Sequence, residues 1–526
     1  MSVKVSVVVP AYNGGEYIDV CIRSVLDQTM AESDYEVIFV NDGSTDDTGR
    51  KLDEAAVGND HVQVVHIEGT GGPGAPRNLG LELARGEYVY FLDCDDWLGD
   101  EALERMHAMA ERNGSDIVIG RLVGQGGRGV PRWLFRSSQD KADILKHHLL
   151  SLLTPHKLFR TEFLREHGLR FPEGPVRLED HRFCVPAYFK AEVISVLADY
   201  PCCYWVKRAD EGNYSSSRFD PKHYYSAVRE VLDVVDEHVE PGPTRDRFYA
   251  HWLRGKVLRR MGGGCFLSYE PDHRRNMYEA VRDLVLERFD PAVDKLLPRN
   301  LRPRAVLVRE GAYEDLIRLA EVEKGLTVRP TLNAMELQDG AITIAVAGEL
   351  VYQGGRQVSF EKKRIDGDDR LLWDPPAMLT TPLPVDALDA TAELAKTNLE
   401  VMLRHRATGL DIFVPTKIEQ RCEATDGGLV VALAGRATVD ASAAWQGKPL
   451  APGRWDVRVR LSACGWGVDR RIKRAVVDVH EDGRVSLIRP GEDVVARKPS
   501  MLRQAARQVP GLRRTVRWAR AAKTSV

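Results

Sequence analysis

Tyr88-Val89-Tyr90-Phe91-Leu92-Asp93-Cys94-Asp95-Asp96-Trp97 is an apolar, aromatic run that breaks into three carboxylates within four positions. The run from Tyr88 to Leu92 reads as a buried strand. Carboxylates crowded at the end of a strand repel one another unless a cation sits between them. The natural candidate is a hard divalent ion, Mg²⁺ or Mn²⁺, held by one or two carboxylates and phosphate oxygens. That points to a phosphorylated, nucleotide-activated substrate. The same residues also suit an acidic turn that caps the next helix, so the neighbouring segments have to decide.

Upstream, residues 3–9 form an apolar, β-branched run that ends at Pro10. A turn at Asn13-Gly14-Gly15 leads into helical spacing over 16–28. A second strand, 35–40, closes in Asn41-Asp42-Gly43-Ser44, and Thr45 or Asp46 can cap the helix that follows. A third strand spans 61–67, a Gly/Pro-rich loop 69–76, a short helix 77–84 and a fourth strand 86–92. This alternation predicts an α/β fold, a mostly parallel sheet with helices on both faces. Ligands of such sheets bind at the carboxyl ends of the strands. Pro10 and Tyr12, Asn41-Asp42 and Asp93 to Asp96 all lie at such ends.

Residues 100–220 continue this domain, with a helix over 100–112, a strand over 116–119 and a loop, 124–131, that carries Arg128. Residues 221–325 are helical and charged, with helices expected over 224–238, 247–260 and 276–289. Residues 326–490 change to short alternating runs, the signature of an antiparallel, immunoglobulin-like β-sandwich. Residues 491–526 form a basic tail; from Arg497 onward it holds nine Lys or Arg and no acidic residue.

The 526 residues allow two to four domains. The composition, 43% hydrophobic and 29% charged, is that of a globular protein. A net charge of −3 argues against a nucleic-acid partner. The eight Cys have no metal-ligand spacing and read as small apolar filler in a reduced, intracellular protein. No signal segment and no membrane-length apolar run is apparent.

Asp42 follows a strand, where a carboxylate can accept the imide N–H of uracil or close an Asx turn. In Gly71-Gly72-Pro73-Gly74-Ala75-Pro76-Arg77-Asn78 the glycines permit close approach to a ligand. The prolines stiffen the loop, and Arg77 offers a fork for phosphate or ribose. Glu179-Asp180 is a second carboxylate pair ahead of a helical stretch. It suits helix-start chemistry, or a general base that deprotonates an acceptor hydroxyl. His181 and His156 are alternatives for the base.

With these residues the chain resembles inverting family 2 glycosyltransferases of the GT-A fold. The matching runs are VSVVVPAYNGGEYI, VNDGSTDDT, GGPGAPRNLGLELARGEYVYFLDCDDW and LEDHRF, within about residues 1–185. Within that family it resembles the wall-teichoic-acid poly(ribitol-phosphate) N-acetylglucosaminyltransferases, through the GGPGAPRN loop, GRGVP, PHKLFR and Tyr214-Ser215-Ser216. The resemblance implies that Pro10, Tyr12 and Asp42 hold the uridine and that Arg77 and Asn78 help hold the donor. Asp93 and Asp95 would be the DxD pair, with Asp95 the more direct ligand of Mn²⁺ or Mg²⁺. Asp180 would be the base, with Glu179 beside it contacting the sugar. Arg128, Lys157 and Ser215 would line the acceptor or sugar side.

The implied reaction moves a sugar, with N-acetylglucosamine from UDP-GlcNAc as first choice, onto a hydroxyl of an anionic glycopolymer such as a teichoic acid. The alternatives are another UDP-sugar on a lipid-linked saccharide or capsule polymer, and a glycopolymer-binding scaffold without catalysis. The expected setting is cytoplasmic, with residues 497–526 able to lie on the inner face of the membrane. The resemblance also suggests a homotrimer. The chain departs from the family pattern at Gly69 and Asn213, where relatives tend to carry Asn and His.

Overall fold

The structure is a computed structural model that describes residues 3–209, 219–375, 379–420, 422–425, 428–445 and 447–489. Ser215 and the basic tail fall outside the described residues. The first part runs β1 (Val5–Ala11), α1 (Ile18–Leu26), β2 (Tyr35–Asp42), α2 (Thr48–Ala56), β3 (Val62–Ile67), α3 (Gly74–Leu83) and β4 (Tyr88–Phe91). It continues β5 (Trp97–Leu98), α4 (Ala102–Asn113), β6 (Ile117–Gln125), β7 (Leu158–Arg160), α5 (Thr161–Glu166), α6 (Glu179–Lys190) and β8 (Ile194–Val206). These strands form one sheet in the order β3-β2-β1-β4-β7-β6-β8-β5.

Every residue of β1 and β2 is buried. Their near-continuous apolar sequence reflects cover on both faces. The half built on β1 is parallel, as the alternation predicts: β1 pairs with β2 and β4, and β2 with β3. The other half is mixed. The short β7 runs antiparallel to both β4 and β6, and β8 returns parallel to β6. Register positions the cleft: Ala11 lies beside Asn41, and Val8 beside Phe91. Pro10 to Tyr12, Asp42 and Asp93 therefore emerge at one edge of the sheet.

Beneath that edge four phenylalanines pack together. Phe171 and Phe183 stack with centroids 3.8 Å apart, and Phe91 meets Phe171 edge-on at 5.0 Å and Phe159 at 6.0 Å. Phe183 lies in α6, so this cluster fixes the helix whose first turn is Glu179-Asp180. All four rings are buried.

The helical region holds α7 (Pro221–His238), α8 (Pro243–Trp252), α9 (Gly263–Leu267), α10 (Pro271–Arg288), α11 (Pro291–Asp294), α12 (Arg302–Arg309) and α13 (Tyr313–Glu323). The helix expected over 247–260 is interrupted. After Trp252 the backbone widens into a π-turn, Leu253–Val257, and then tightens to a 3-10 turn, Leu258–Met261. The weak helix former Gly255 sits inside the π-turn. Such bulges recur at functional sites.

The C-terminal region is antiparallel, as the alternation predicts, but it contains three sheets among the described residues. Ala341–Val351 lies inside a four-stranded sheet and Gly453–Ala463 inside a five-stranded one. These two face each other: a Cβ on Gly348 would sit 3.2 Å from Leu399 and 3.6 Å from Leu461. Ser359–Ile365 and Asp368–Trp373 belong to the third sheet. No described helix is long and apolar enough to cross a membrane.

The contact of α3 with β1 gives a test of the fold. Gly80 lies against Val8, and a Cβ there would come within 2.2 Å of Cγ1. Alanine would gain about 1 kcal/mol of helix propensity, but overpacking against a buried valine costs roughly 1–3 kcal/mol. Gly80→Ala is expected to lower the denaturant midpoint; an unchanged or raised midpoint would mean that the α3–β1 contact is looser than described.

Candidate active site

A cavity of about 850 Å³ opens at the sheet edge. Its wall includes Pro10, Tyr12, Asp42, Arg77, Asp93, Asp95, Arg128, Glu179 and Asp180. Segments far apart in the chain thus bring five carboxylates and five guanidinium groups to one cleft.

Arg77 is its centre. The side chain is 3% exposed, donates to Asp93 at 2.6 Å and reaches Glu179 at 3.3 Å. Its guanidinium lies 5.1 Å from the Phe171 ring centroid. The GGPG turn delivers it because glycine allows the close approach: a Cβ on Gly74 would stand 2.0 Å from the Pro172 carbonyl. Burial works against the Arg77 charge, yet Asp93 and Glu179 hold its pKa above the ordinary value.

The carboxylates respond differently to burial. For Asp93, burial pushes the pKa up, but Arg77 and His156 more than offset it, so the carboxyl stays below its ordinary value. For Asp95, burial, then the Asp96 and Asp93 carboxylates, outweigh the pull of Arg208 and push it up to about 7. Asp96, 1% exposed, accepts the Val206 N–H at 2.7 Å and faces His156 at 2.9 Å. Burial pushes it up as well. Ligand atoms of Asp93, Asp96 and His156 all lie within 4.8 Å of one another. An oxygen-rich set of crowded carboxylates fits a hard divalent cation, with His156 an added nitrogen donor.

Asp42 ends β2 and accepts from Thr70, whose backbone N–H and hydroxyl lie 2.8 and 2.9 Å away. Its carboxylate is thereby aimed along the cleft wall. Tyr12 is 57% exposed, an aromatic face open to a flat ligand.

Glu179 and Asp180 occupy the first turn of α6. Burial, then the adjacent Asp180 charge, push Glu179 up to about 7. Burial also raises Asp180, against the opposing pull of Lys256, the His181 N–H and Arg77. The His181 N–H donates to the Asp180 carboxylate at 2.8 Å, fixing its rotamer. Burial keeps His181 neutral, and its ring nitrogen accepts from Trp252 of α8 at 3.4 Å. His181 is therefore a brace, and His156 belongs to the carboxylate cluster.

Two expected positions are corrected. Asn78 does not line the cleft: its amide donates to the Phe171 carbonyl and Glu173, and its oxygen accepts the Phe171 N–H at 2.9 Å. It fixes the segment that Gly74 abuts. Lys157 is fully buried and donates to the Thr154 carbonyl, so it acts on Asp180 only as a charge beneath the floor. Arg128 does line the cleft, with its guanidinium 3.8 Å from the Trp205 ring centroid.

Sequence reasoning left out a second wall. Lys256 of the π-turn, Arg260 and Tyr224 reach the cavity from the helical region, and Arg177, Trp205, Arg208 and Phe219 from the first domain. Arg260 donates to the Tyr224 hydroxyl at 3.2 Å and stacks over Phe219. In sequence Lys256 and Arg260 look like a solvated basic helix face, which gives no cue that they reach the cavity.

Comparison with known proteins agrees with this geometry. The model of glycosyl transferase family 2 matches residues 6–168, and that of the glycosyl transferase TarS linker domain matches residues 221–320. Poly(ribitol-phosphate) beta-N-acetylglucosaminyltransferase TarP of Staphylococcus aureus is 31% identical over 262 residues, 49% of this chain and 79% of that protein. The chain belongs to glycosyltransferase family 2.

A poly(ribitol-phosphate) beta-glucosyltransferase of Bacillus spizizenii is 38% identical over 335 residues, 64% of this family 2 chain and 53% of the relative. TarS of S. aureus, a poly(ribitol-phosphate) beta-N-acetylglucosaminyltransferase, is 30% identical over 355 residues, 67% of this chain and 60% of the relative. The chain thus spans little more than half the length of these two relatives. A crystal structure of S. aureus TarS 1-349 in complex with UDP-GlcNAc superposes with a TM-score of 0.56 at 25% identity, covering 72% of this chain and all of that one.

The carboxylate cluster gives the test of this site. Asp95→Asn is expected to weaken UDP binding about tenfold or more in the presence of Mn²⁺ and to leave metal-free binding nearly unchanged, measured by calorimetry. Equal Mn²⁺ dependence in the variant would remove Asp95 from the metal site.

Proposed function

We propose that the chain is an inverting, UDP-sugar-dependent glycosyltransferase that glycosylates a hydroxyl of a poly(polyol-phosphate) cell-wall polymer such as a teichoic acid. The observation that carries this reading is the convergence of Asp42, Asp93, Asp95, Arg77 and Asp180 on one cleft. Relatives named for poly(ribitol-phosphate) transfer support the acceptor class. Lys256, Arg260 and Arg177 on the second wall suit a polyanion.

Pro10, Tyr12 and Asp42 hold the uridine, and Arg77 and Arg128 face the diphosphate and sugar. Asp93 and Asp95, with Asp96 and His156 beside them, would hold Mn²⁺ or Mg²⁺, which neutralises charge on the diphosphate when bound. Asp180 takes the proton from the acceptor hydroxyl. That oxygen attacks the anomeric carbon on the face opposite UDP, and the C–O bond to the diphosphate breaks with its electron pair leaving on UDP. Glu179 contacts the sugar and, beside Asp180, discourages full ionisation of the pair. Alignment by the rigid cleft supplies much of the rate.

The donor sugar divides along the relatives. TarS supports N-acetylglucosamine, while the higher identity of the Bacillus enzyme favours glucose. A panel of UDP-glucose and UDP-GlcNAc on poly(ribitol-phosphate) separates the two. The basic segment 497–526 suits the anionic inner face of a membrane.

Asp180→Asn is expected to lower kcat by about 10²–10⁴-fold with UDP affinity nearly unchanged. Loss of UDP binding in that variant would instead make Asp180 a donor ligand. The Asp180 pKa is raised and its ionised form is the active one. Wild-type kcat/KM should therefore rise with pH through a midpoint above the ordinary range of about 4 and fall on acidification. A flat profile down to about pH 4 would contradict the role.

A further inference from the structure

Arg128 reaches the cleft from a tight turn at the end of β6. Gly126 and Gly127 take positive φ, 61° and 88°. The Arg128 N–H donates to the Gln125 carbonyl at 2.9 Å, and a Cβ on Gly124 would strike the Arg128 carbonyl at 2.0 Å. Only glycine fits this winding. A turn so rich in glycine has little stiffness of its own, because each glycine adds conformations that must be frozen out.

The turn is held on one side by the end of β8, where the Lys207 N–H donates to the Gln125 carbonyl at 3.1 Å, and on the other by the C-terminal region. Gln125, just before the turn, donates its side-chain amide to the Thr408 carbonyl at 2.7 Å. Arg132, just after it, pairs with Asp411 at 2.9 Å and Asp469 at 3.7 Å. Arg121 of β6 donates to the Asp411 carbonyl at 2.6 Å and to the Ala198 carbonyl at 3.0 Å. Asp411 is 7% exposed and also faces Arg404 at 3.5 Å. Burial raises its carboxyl, and Arg132 and Arg404 pull it back down. Further along, Arg136 pairs with Glu400 and stacks over Phe413. Both ends of the turn are thus anchored to a region over 270 residues downstream. Buried, multiply hydrogen-bonded charges hold geometry more firmly than exposed ones.

We propose that Asp411 and its surroundings are a positioning element for the cleft: the C-terminal region grips the 124–132 turn at both ends and so presents Arg128 to the donor. This deepens the proposed function, and it rests on the reading that Arg128 touches the UDP-sugar. Asp411 itself does not line the cavity and acts through Arg128. Part of the C-terminal region then serves donor binding, whatever polymer or surface the rest of it meets.

The test is a double-mutant cycle on the full chain, with UDP-glucose and UDP-GlcNAc affinity measured by calorimetry. Arg128→Ala and Asp411→Asn are each expected to weaken binding of the preferred donor about tenfold, and the double variant no further than Arg128→Ala alone. Arg132→Gln, at a partly exposed side chain, should reproduce the Asp411→Asn result. Thermal melting by circular dichroism identifies a variant that fails to fold, in which case Arg132→Gln carries the cycle. Multiplying effects, or a folded Asp411 or Arg132 variant with wild-type affinity, would overturn the positioning role. Wild-type affinity in Arg128→Ala would instead overturn the reading of Arg128 on which the proposal rests.

Discussion

Everything in the cleft depends on one buried guanidinium. Arg77 sits between Asp93 and Glu179 and joins the carboxylate cluster after β4 to the first turn of α6. Its charge, with that of His156, holds the Asp93 carboxyl below its ordinary value although it is crowded beside two other aspartates. Removing one partner from a buried, hydrogen-bonded charge pair typically costs about 3–5 kcal/mol. The GGPG turn, the Phe171–Phe183 stack and the start of α6 all serve to hold this group in place. The carboxylates around it differ: Asp93 is held below its ordinary value, while burial and like charges push Asp95 and Glu179 up to about 7.

The regions after the first domain are more than appendages. The helical region gives the cleft Lys256 and Arg260 and braces His181 through Trp252. The π-turn at Leu253–Val257 departs from the helix where the chain meets the cavity. The antiparallel region reaches back to the end of β6 through Asp411 and Thr408. The cavity wall is therefore drawn from two parts of the chain, and the third touches it only through the end of β6.

Much of this was legible in the sequence. The apolar runs of β1, β2 and β4 show strands covered on both faces, and the carboxylates that follow them had to emerge at one edge because parallel strands in register end together. The β6–β8 half was harder to read. β7 is only three residues long, and its antiparallel pairing depends on contacts that no local pattern encodes. Asn78 and Lys157 were given to the donor and acceptor sides by the family resemblance. The structure turns both inward, because a buried amide and a buried ammonium must find partners, and the nearest were the Phe171 backbone and the Thr154 carbonyl. Asp96 was visible but undistinguished among three aspartates; only its burial against His156 sets it apart. Lys256 and Arg260 had no signal at all, since basic residues on a charged helix ordinarily face water.

The most direct measurement is the anomeric configuration of the product, read by proton NMR from the coupling at the transferred sugar's anomeric position. A single displacement with Asp180 as base converts an α-linked UDP-sugar into a β-linked product. A β-glycoside on the polyol-phosphate chain is the expected result. An α-glycoside would require a different face of attack, and would contradict the roles assigned to Asp180, Glu179 and the cleft that Arg77 holds together.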